Sequence, residues 1–224
     1  MPHPSLLNRP TTVFISGGSR PLLNWVAYGL ALDANPEFLW TDVRISGELF
    51  DRTDLLARNI IPQGRLSFVY PNELARTTPA SAPGAPAEAA GSSVGSLSPM
   101  EALQRLPLRS QQLLASLPAG GPPVPVVLSN AQRILPLYPT ETVGPILRAI
   151  VAAGAIFIVT FADTAPEGRR YFETILQLKG QDPPEWERAT LRVEKGPAGG
   201  PFKADSELRL REIPAIADVL SKAF

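Results

Sequence analysis

Short apolar runs alternate with stretches of helical period along most of the chain, as expected where strands and helices follow one another. The run over residues 12–16 predicts a first strand that ends in Gly17 and Gly18. Leu23, Val26, Ala27, Leu30 and Ala31 then recur at helical spacing and predict a helix over about 22–33, stopped by Pro36. A second strand is expected over 37–43. A short helix through Leu55, Leu56 and Ile60, capped by Asp51 or Thr53, follows it, and a third strand over 65–70 comes after Gly64.

Residues 77–99 break the pattern. Of these 23 positions 18 are Pro, Gly, Ala or Ser, only Glu88 is charged and none is aromatic. Such a stretch has too little apolar area to offset the entropy of ordering it, and it reads as a low-complexity, disordered insertion inside one domain spanning 1–224. A linker to a partner-facing helix is the other reading.

Periodicity returns with Leu103, Leu106, Leu113, Leu114 and Leu117, a helical set that Pro107 should kink or break. Residues 125–129 form a compact buried-strand pattern. A helix through Ile146, Leu147, Ile150 and Val151 tolerates Pro145 if that residue lies in the first turn. It leads into a strand over 155–161. Three short strands are expected over 170–178, 189–194 and 207–211, then a helix over 214–224. The predicted class is α/β: a mostly parallel central sheet flanked by helices, with antiparallel C-terminal strands.

Composition narrows the chemistry. The 224 residues carry 21 basic and 21 acidic side chains, which argues against general affinity for nucleic acid or anionic membrane. There is no cysteine, and the one histidine is His3. Thiolate catalysis, cysteine-ligated metal sites, a histidine-based triad and a multi-histidine metal site are thereby excluded. The longest nearly apolar run, 149–162, is too short to span a membrane. The N-terminus lacks the pattern of a signal peptide, so a soluble cytoplasmic protein is expected.

A strand, a Gly-Gly turn and a helix make the outline of a mononucleotide-binding unit, yet the G-x-x-x-x-G-K-[ST] run is missing and Gly-Lys occurs nowhere. The segments 13–18, 38–44, 64–70, 124–130, 154–161 and 193–200, in that order, resemble the KaiC-like branch of the RecA-like ATPase superfamily. The resemblance covers nearly the whole chain outside the insertion and implies a RecA-like fold. It departs from the family at both phosphate and magnesium positions. Pro21, Leu22, Leu23 and Asn24 stand where lysine and hydroxyl belong, and Ser129-Asn130 stands where the Walker B aspartate belongs.

The resemblance still nominates residues. Gly17, Gly18, Ser19 and Arg20 can form a residual anion site, against the simpler reading of a tight turn. An open hollow there would favour nucleotide binding, and filling by Leu22, Leu23 or Trp25 would oppose it. Asp42 lies near the family's catalytic acid and can orient water or hold a metal, against an exposed strand-end carboxylate or a salt bridge to Arg44. Asp163 is a second metal candidate or a loop cap, and Glu48 and Asp51 can approach the same edge. Lys195, before a glycine-rich stretch, corresponds to the basic region that reaches a neighbouring subunit's nucleotide, against a solvated strand-end charge. Arg169 and Arg170 with Lys195 can make a nucleic-acid surface, or an ordinary exposed helix start. Trp25, Tyr28 and Trp40 are expected in the core or an interface.

The expected function is that of a catalytically inactive RecA-like protein in assembly or regulation, without a cofactor. Its partner would be a second copy or an active ATPase paralogue. Changes at an exposed apolar edge should then damage assembly, and Asp42→Asn should scarcely matter. The alternatives are an atypical nucleotide binder or weak NTP hydrolase, and a non-catalytic DNA-associated recombinase paralogue.

Overall fold

The computed structural model describes residues 5–43, 65–69, 99–133, 140–162, 167–180, 189–197, 202–216 and 218. The expected helix through Leu55 to Ile60, the insertion up to residue 98, and Arg44, Glu48, Asp51 and Asp163 lie outside them.

Eight strands form one sheet in the order β3-β2-β4-β5-β1-β6-β7-β8. They are β1 (Thr11–Ser16), β2 (Leu39–Val43), β3 (Leu66–Val69), β4 (Val124–Ser129), β5 (Ala155–Phe161), β6 (Thr174–Lys179), β7 (Thr190–Lys195) and β8 (Glu207–Arg209). The first six run parallel, and β7 and β8 add antiparallel pairings at one edge. Every residue of β1, β2, β4 and β5 is buried. That explains their nearly unbroken apolar sequences, because a parallel strand covered on both faces has no solvent side to mark with alternating polar residues.

Helix α1 (Arg20–Ala34) covers one face and packs on Val13, Ile15, Trp40, Ile156 and Ile158. Helices α2 (Pro99–Ser116) and α3 (Thr140–Ala152) cover the other, over Phe14, Leu39, Val126, Phe157 and Val159. Burying one such side chain contributes about 1.5–3 kcal/mol. The C-terminal segment returns over α1 and seals the first face with Ile213 and Ile216. Of the expected terminal helix, Pro214, Ala215, Ile216 and Asp218 are described, and all four are helical.

Three local expectations change. Helix α2 runs through Pro107 without a break. Leu103 and Leu106 are buried just before it, and Ser110 Oγ donates to the Leu106 carbonyl at 2.7 Å just after it. Packing thus holds a helix that loses one backbone bond at proline. Pro145 lies in the second turn of α3 rather than the first, so the Glu141 carbonyl has no helical donor four residues on. Residues 167–171 form a 3₁₀ turn, and the strand expected from 170 begins at Thr174. The glycine and tyrosine in this turn do not extend the alternation that starts beyond it.

Trp25, Tyr28 and Trp40 are all core residues. Tyr28 meets Phe38 and Trp40 edge-on, with centroids 5.7 and 5.5 Å away. Its buried hydroxyl has no hydrogen-bond partner among the described residues. Burial pushes the Tyr28 phenol well above its ordinary value. Ionisation is therefore easier in the unfolded chain. This contribution to stability is complete below about pH 10 and is lost as pH rises beyond it. Tyr28→Phe is expected to leave neutral-pH stability within about 1 kcal/mol, since no bond is broken. Urea titrations near neutrality and above pH 10 should show a shallower alkaline loss for the variant. Equal alkaline slopes would refute the assignment.

Candidate functional site: a buried carboxylate at the strand ends

The connection after β2 leads outward to β3, and the one after β4 leads the opposite way to β5. Adjacent parallel strands whose connections diverge leave a crevice beyond their carboxyl ends, where α/β sheets commonly bind ligands. Asp42 lies one residue from the end of β2 and pairs in register with Ser129 at the end of β4. Both elements deliver polar side chains to one point.

Asp42 is 2 % exposed, so the expectation of a solvent-exposed carboxylate is corrected. Its Oδ1 accepts from Ser129 Oγ and from Asn130 Nδ2, each at 2.6 Å. Its Oδ2 lies 3.5 Å from the Arg20 guanidinium. The ion pair thus uses Arg20, at the start of α1, while Arg44 lies outside the described residues. Ser129 and Asn130 are more than neutral replacements at the expected Walker B position. They are the donors that make a buried carboxylate tolerable where an unpaired one would be costly.

Backbone geometry aims these donors. Asn130 adopts φ +58°, a left-handed conformation that asparagine accepts better than most residues. Its backbone N–H donates to Thr160 Oγ1 at 3.0 Å, and Ala162 N–H donates to Gln132 Oε1 at 3.3 Å. These two bonds tie the end of β4 to the end of β5.

The Gly17-Gly18 turn approaches β6 closely on its Cα side, with Gly17 half-buried and Gly18 exposed. Both glycines have positive φ, +84° and +69°. A Cβ on Gly17 would lie 2.5 Å from the Leu178 carbonyl oxygen, and one on Gly18 would lie 3.3 Å from Leu22 Cδ2. Leu22, Leu23 and Trp25 are buried. Ser19 is the N-cap of α1, its Oγ accepting from Leu22 N–H at 3.4 Å. Arg20 is turned to Asp42. Ser19 and Arg20 are therefore engaged within the fold, while Gly18 stays exposed. The glycines permit the tight approach of β6, Ser19 caps a helix, and Arg20 joins an internal ion pair.

Lys195 is not brought to this edge. It pairs with Ile175 near the start of β6, toward the opposite end of the parallel strands. Its ammonium donates to the carbonyls of Arg170 at 3.1 Å and Phe172 at 2.7 Å, holding the 3₁₀ turn. Lys195 is at the same time exposed at the end of β7, as the reading of a solvated strand-end charge expects. Arg169 and Arg170 do stand beside Lys195, but Arg169 faces Glu194 at 3.8 Å and Arg170 lies over the Tyr171 ring at 5.5 Å. Glu194 interrupts the positive surface that the nucleic-acid reading requires.

Sequence reasoning missed Thr160 and Gln132, and it missed the union of Asp42 with Ser129 and Asn130. The signal that could have found them was positional: polar residues directly following apolar strands, at the edge where such sheets carry their chemistry. Among the described residues no cluster of three or more acidic or histidine side chains stands together as a metal site. Nor is any described helix long and apolar enough to cross a membrane. No protein-family model matches the chain, and no curated protein is significantly similar to it.

Proposed function

We propose that this protein is a catalytically inactive RecA-like scaffold that acts through assembly or regulation, with a second copy or an active ATPase paralogue as partner. The observation that carries the reading is the internal use of Asp42. The residue nominated to orient water or metal is committed to Ser129, Asn130 and Arg20. Redirecting it toward a phosphate or a magnesium ion would leave two buried donors without this acceptor and weaken the ion pair to Arg20. The engagement of Ser19 and Arg20 supports the same reading, because one caps α1 and the other pairs with Asp42.

The chain order of the elements, with its glycine turn after the first strand and antiparallel strands at the end, supports the RecA-like assignment. Isothermal calorimetry with ATP, with and without magnesium, tests the functional reading. The expected result is no saturable heat and an unchanged melting temperature. Saturable magnesium-dependent binding would replace it with the nucleotide-binding alternative.

A further inference from the structure

A groove of about 590 Å³ lies between α3 and the 3₁₀ turn, at the end of the parallel strands opposite Asp42. That volume falls within the range of small-molecule sites, about 300–1,000 Å³. Pro145, Val151 and the ring of Tyr171, itself 57 % exposed, give it an apolar lining. Glu173 also lines it but is engaged, with Arg9 at 3.3 Å and Thr11 Oγ1 donating to it at 2.9 Å. Thr12 Oγ1 accepts from the Glu173 N–H at 2.9 Å. The remaining charged groups of the groove are Glu141 and Arg148, and neither forms an ion pair among the described residues.

Arg148 Nη1 lies 3.5 Å from the Cβ position of Gly144, so its guanidinium is folded back along α3 toward Glu141. Positions 141 and 144 share one helix face, with Cβ positions about 5–6 Å apart. Guanidinium and carboxylate thus line the groove roughly one helical turn apart, unpaired with each other. Pro145 leaves a further acceptor beside them, because the Glu141 carbonyl receives no bond from position 145.

We propose that the groove binds a free α-amino acid with a large apolar side chain. Such a molecule carries ammonium and carboxylate on one carbon, so it bridges the gap between the two protein charges. Its carboxylate accepts from Arg148, whose planar guanidinium suits two parallel bonds. Its ammonium donates to the carboxylate and carbonyl of Glu141. Its side chain covers the Tyr171 ring with Pro145 and Val151. A ligand with one charge would leave either Glu141 or Arg148 without a partner, which selects a zwitterion over a simple anion or cation. The proposal goes beyond the assembly reading and does not rest on it.

Calorimetry of the full chain with L-phenylalanine tests this, beside two analogues that each lack one charge. Saturable binding of L-phenylalanine is expected, with 2-phenylethylamine and 3-phenylpropanoate each about tenfold weaker or more. Glycine, which lacks the apolar group, should give no saturable heat. Arg148→Met should weaken L-phenylalanine about tenfold without weakening 2-phenylethylamine. Glu141→Gln should weaken L-phenylalanine without weakening 3-phenylpropanoate. Both side chains are exposed, so the melting temperatures of the variants should match the wild type.

No saturable heat with millimolar L-phenylalanine overturns the site. So does equal affinity for L-phenylalanine and either analogue, because the two charges would then not act together. Binding that survives both substitutions lies elsewhere and overturns the assignment as well. These outcomes leave the assembly reading untouched, and the ATP titration tests that reading separately.

Discussion

Asp42→Ala is expected to destabilise the protein by about 3–5 kcal/mol, the cost of removing one partner from a buried, charged network. Ser129 Oγ and Asn130 Nδ2 lose their acceptor, and Arg20 loses its counter-charge at 3.5 Å. For a chain of this size the melting temperature should fall by roughly 6–20 °C. Asp42→Asn should cost less, about 1–3 kcal/mol, because its carbonyl can still accept from Ser129 and Asn130 while the charge facing Arg20 is gone. The expectation that Asp42→Asn would scarcely matter followed from the inactive-assembly reading; for stability, the burial of Asp42 makes the change costly. Thermal and urea denaturation of the two variants check the ordering. A melting point for Asp42→Ala matching the wild type would mean that the network contributes nothing to folding.

Gly29→Leu is expected to destabilise by about 3 kcal/mol despite leucine's better helix propensity. A Cβ on Gly29 would overlap Ile216, whose Cδ1 lies only 2.7 Å from the ideal position. Ile213 and Ile216 are essentially fully buried there, so the larger side chain must either distort α1 or lift the C-terminal segment off it. Lifting it forfeits about 1.5–3 kcal/mol for each exposed isoleucine. A cycle with Ile216→Ala discriminates the cause. If overlap is responsible, the double variant should lose less than the sum of the singles, because the truncation makes room for the leucine. Strict additivity in urea denaturation would refute the contact.

The regular elements were legible because their signals are local. The buried runs VFIS, VVLS and AIFIVTF could be read as strands, and the spacing of Leu23, Val26, Ala27, Leu30 and Ala31 marked α1. Observed limits extend or trim these by a few residues. The failures were also local in form but tertiary in cause. Pro107 breaks an isolated helix, whereas α2 is held by side chains buried against the sheet. Tyr171 and its neighbours lack the alternation of a strand because they precede β6 as a turn anchored by Lys195.

The candidate site was half legible. Asp42 could be nominated at the end of a strand, and the absence of a phosphate-loop lysine was plain. Its environment was not, because Asp42 and Ser129 are 87 residues apart in sequence and hydrogen-bonded only through the β2–β4 pairing. Arg20 was assigned to an anion by the loop in which it stands, and only the path of α1 across the sheet turns it to Asp42.

By itself the sequence determined which residues could carry chemistry, the alternation of strands and helices, and the mostly parallel sheet with antiparallel terminal strands. These follow from residue identity and from periodicities of two and 3.6, which need no knowledge of distant neighbours. Tertiary structure alone decided that Asp42 is buried and satisfied, that Gly29 underlies Ile216, and that Lys195 stands at the edge opposite Asp42. Such facts depend on strand order and on which helix covers which face. They are set by the free energy of burying the whole core together, and no single segment encodes them.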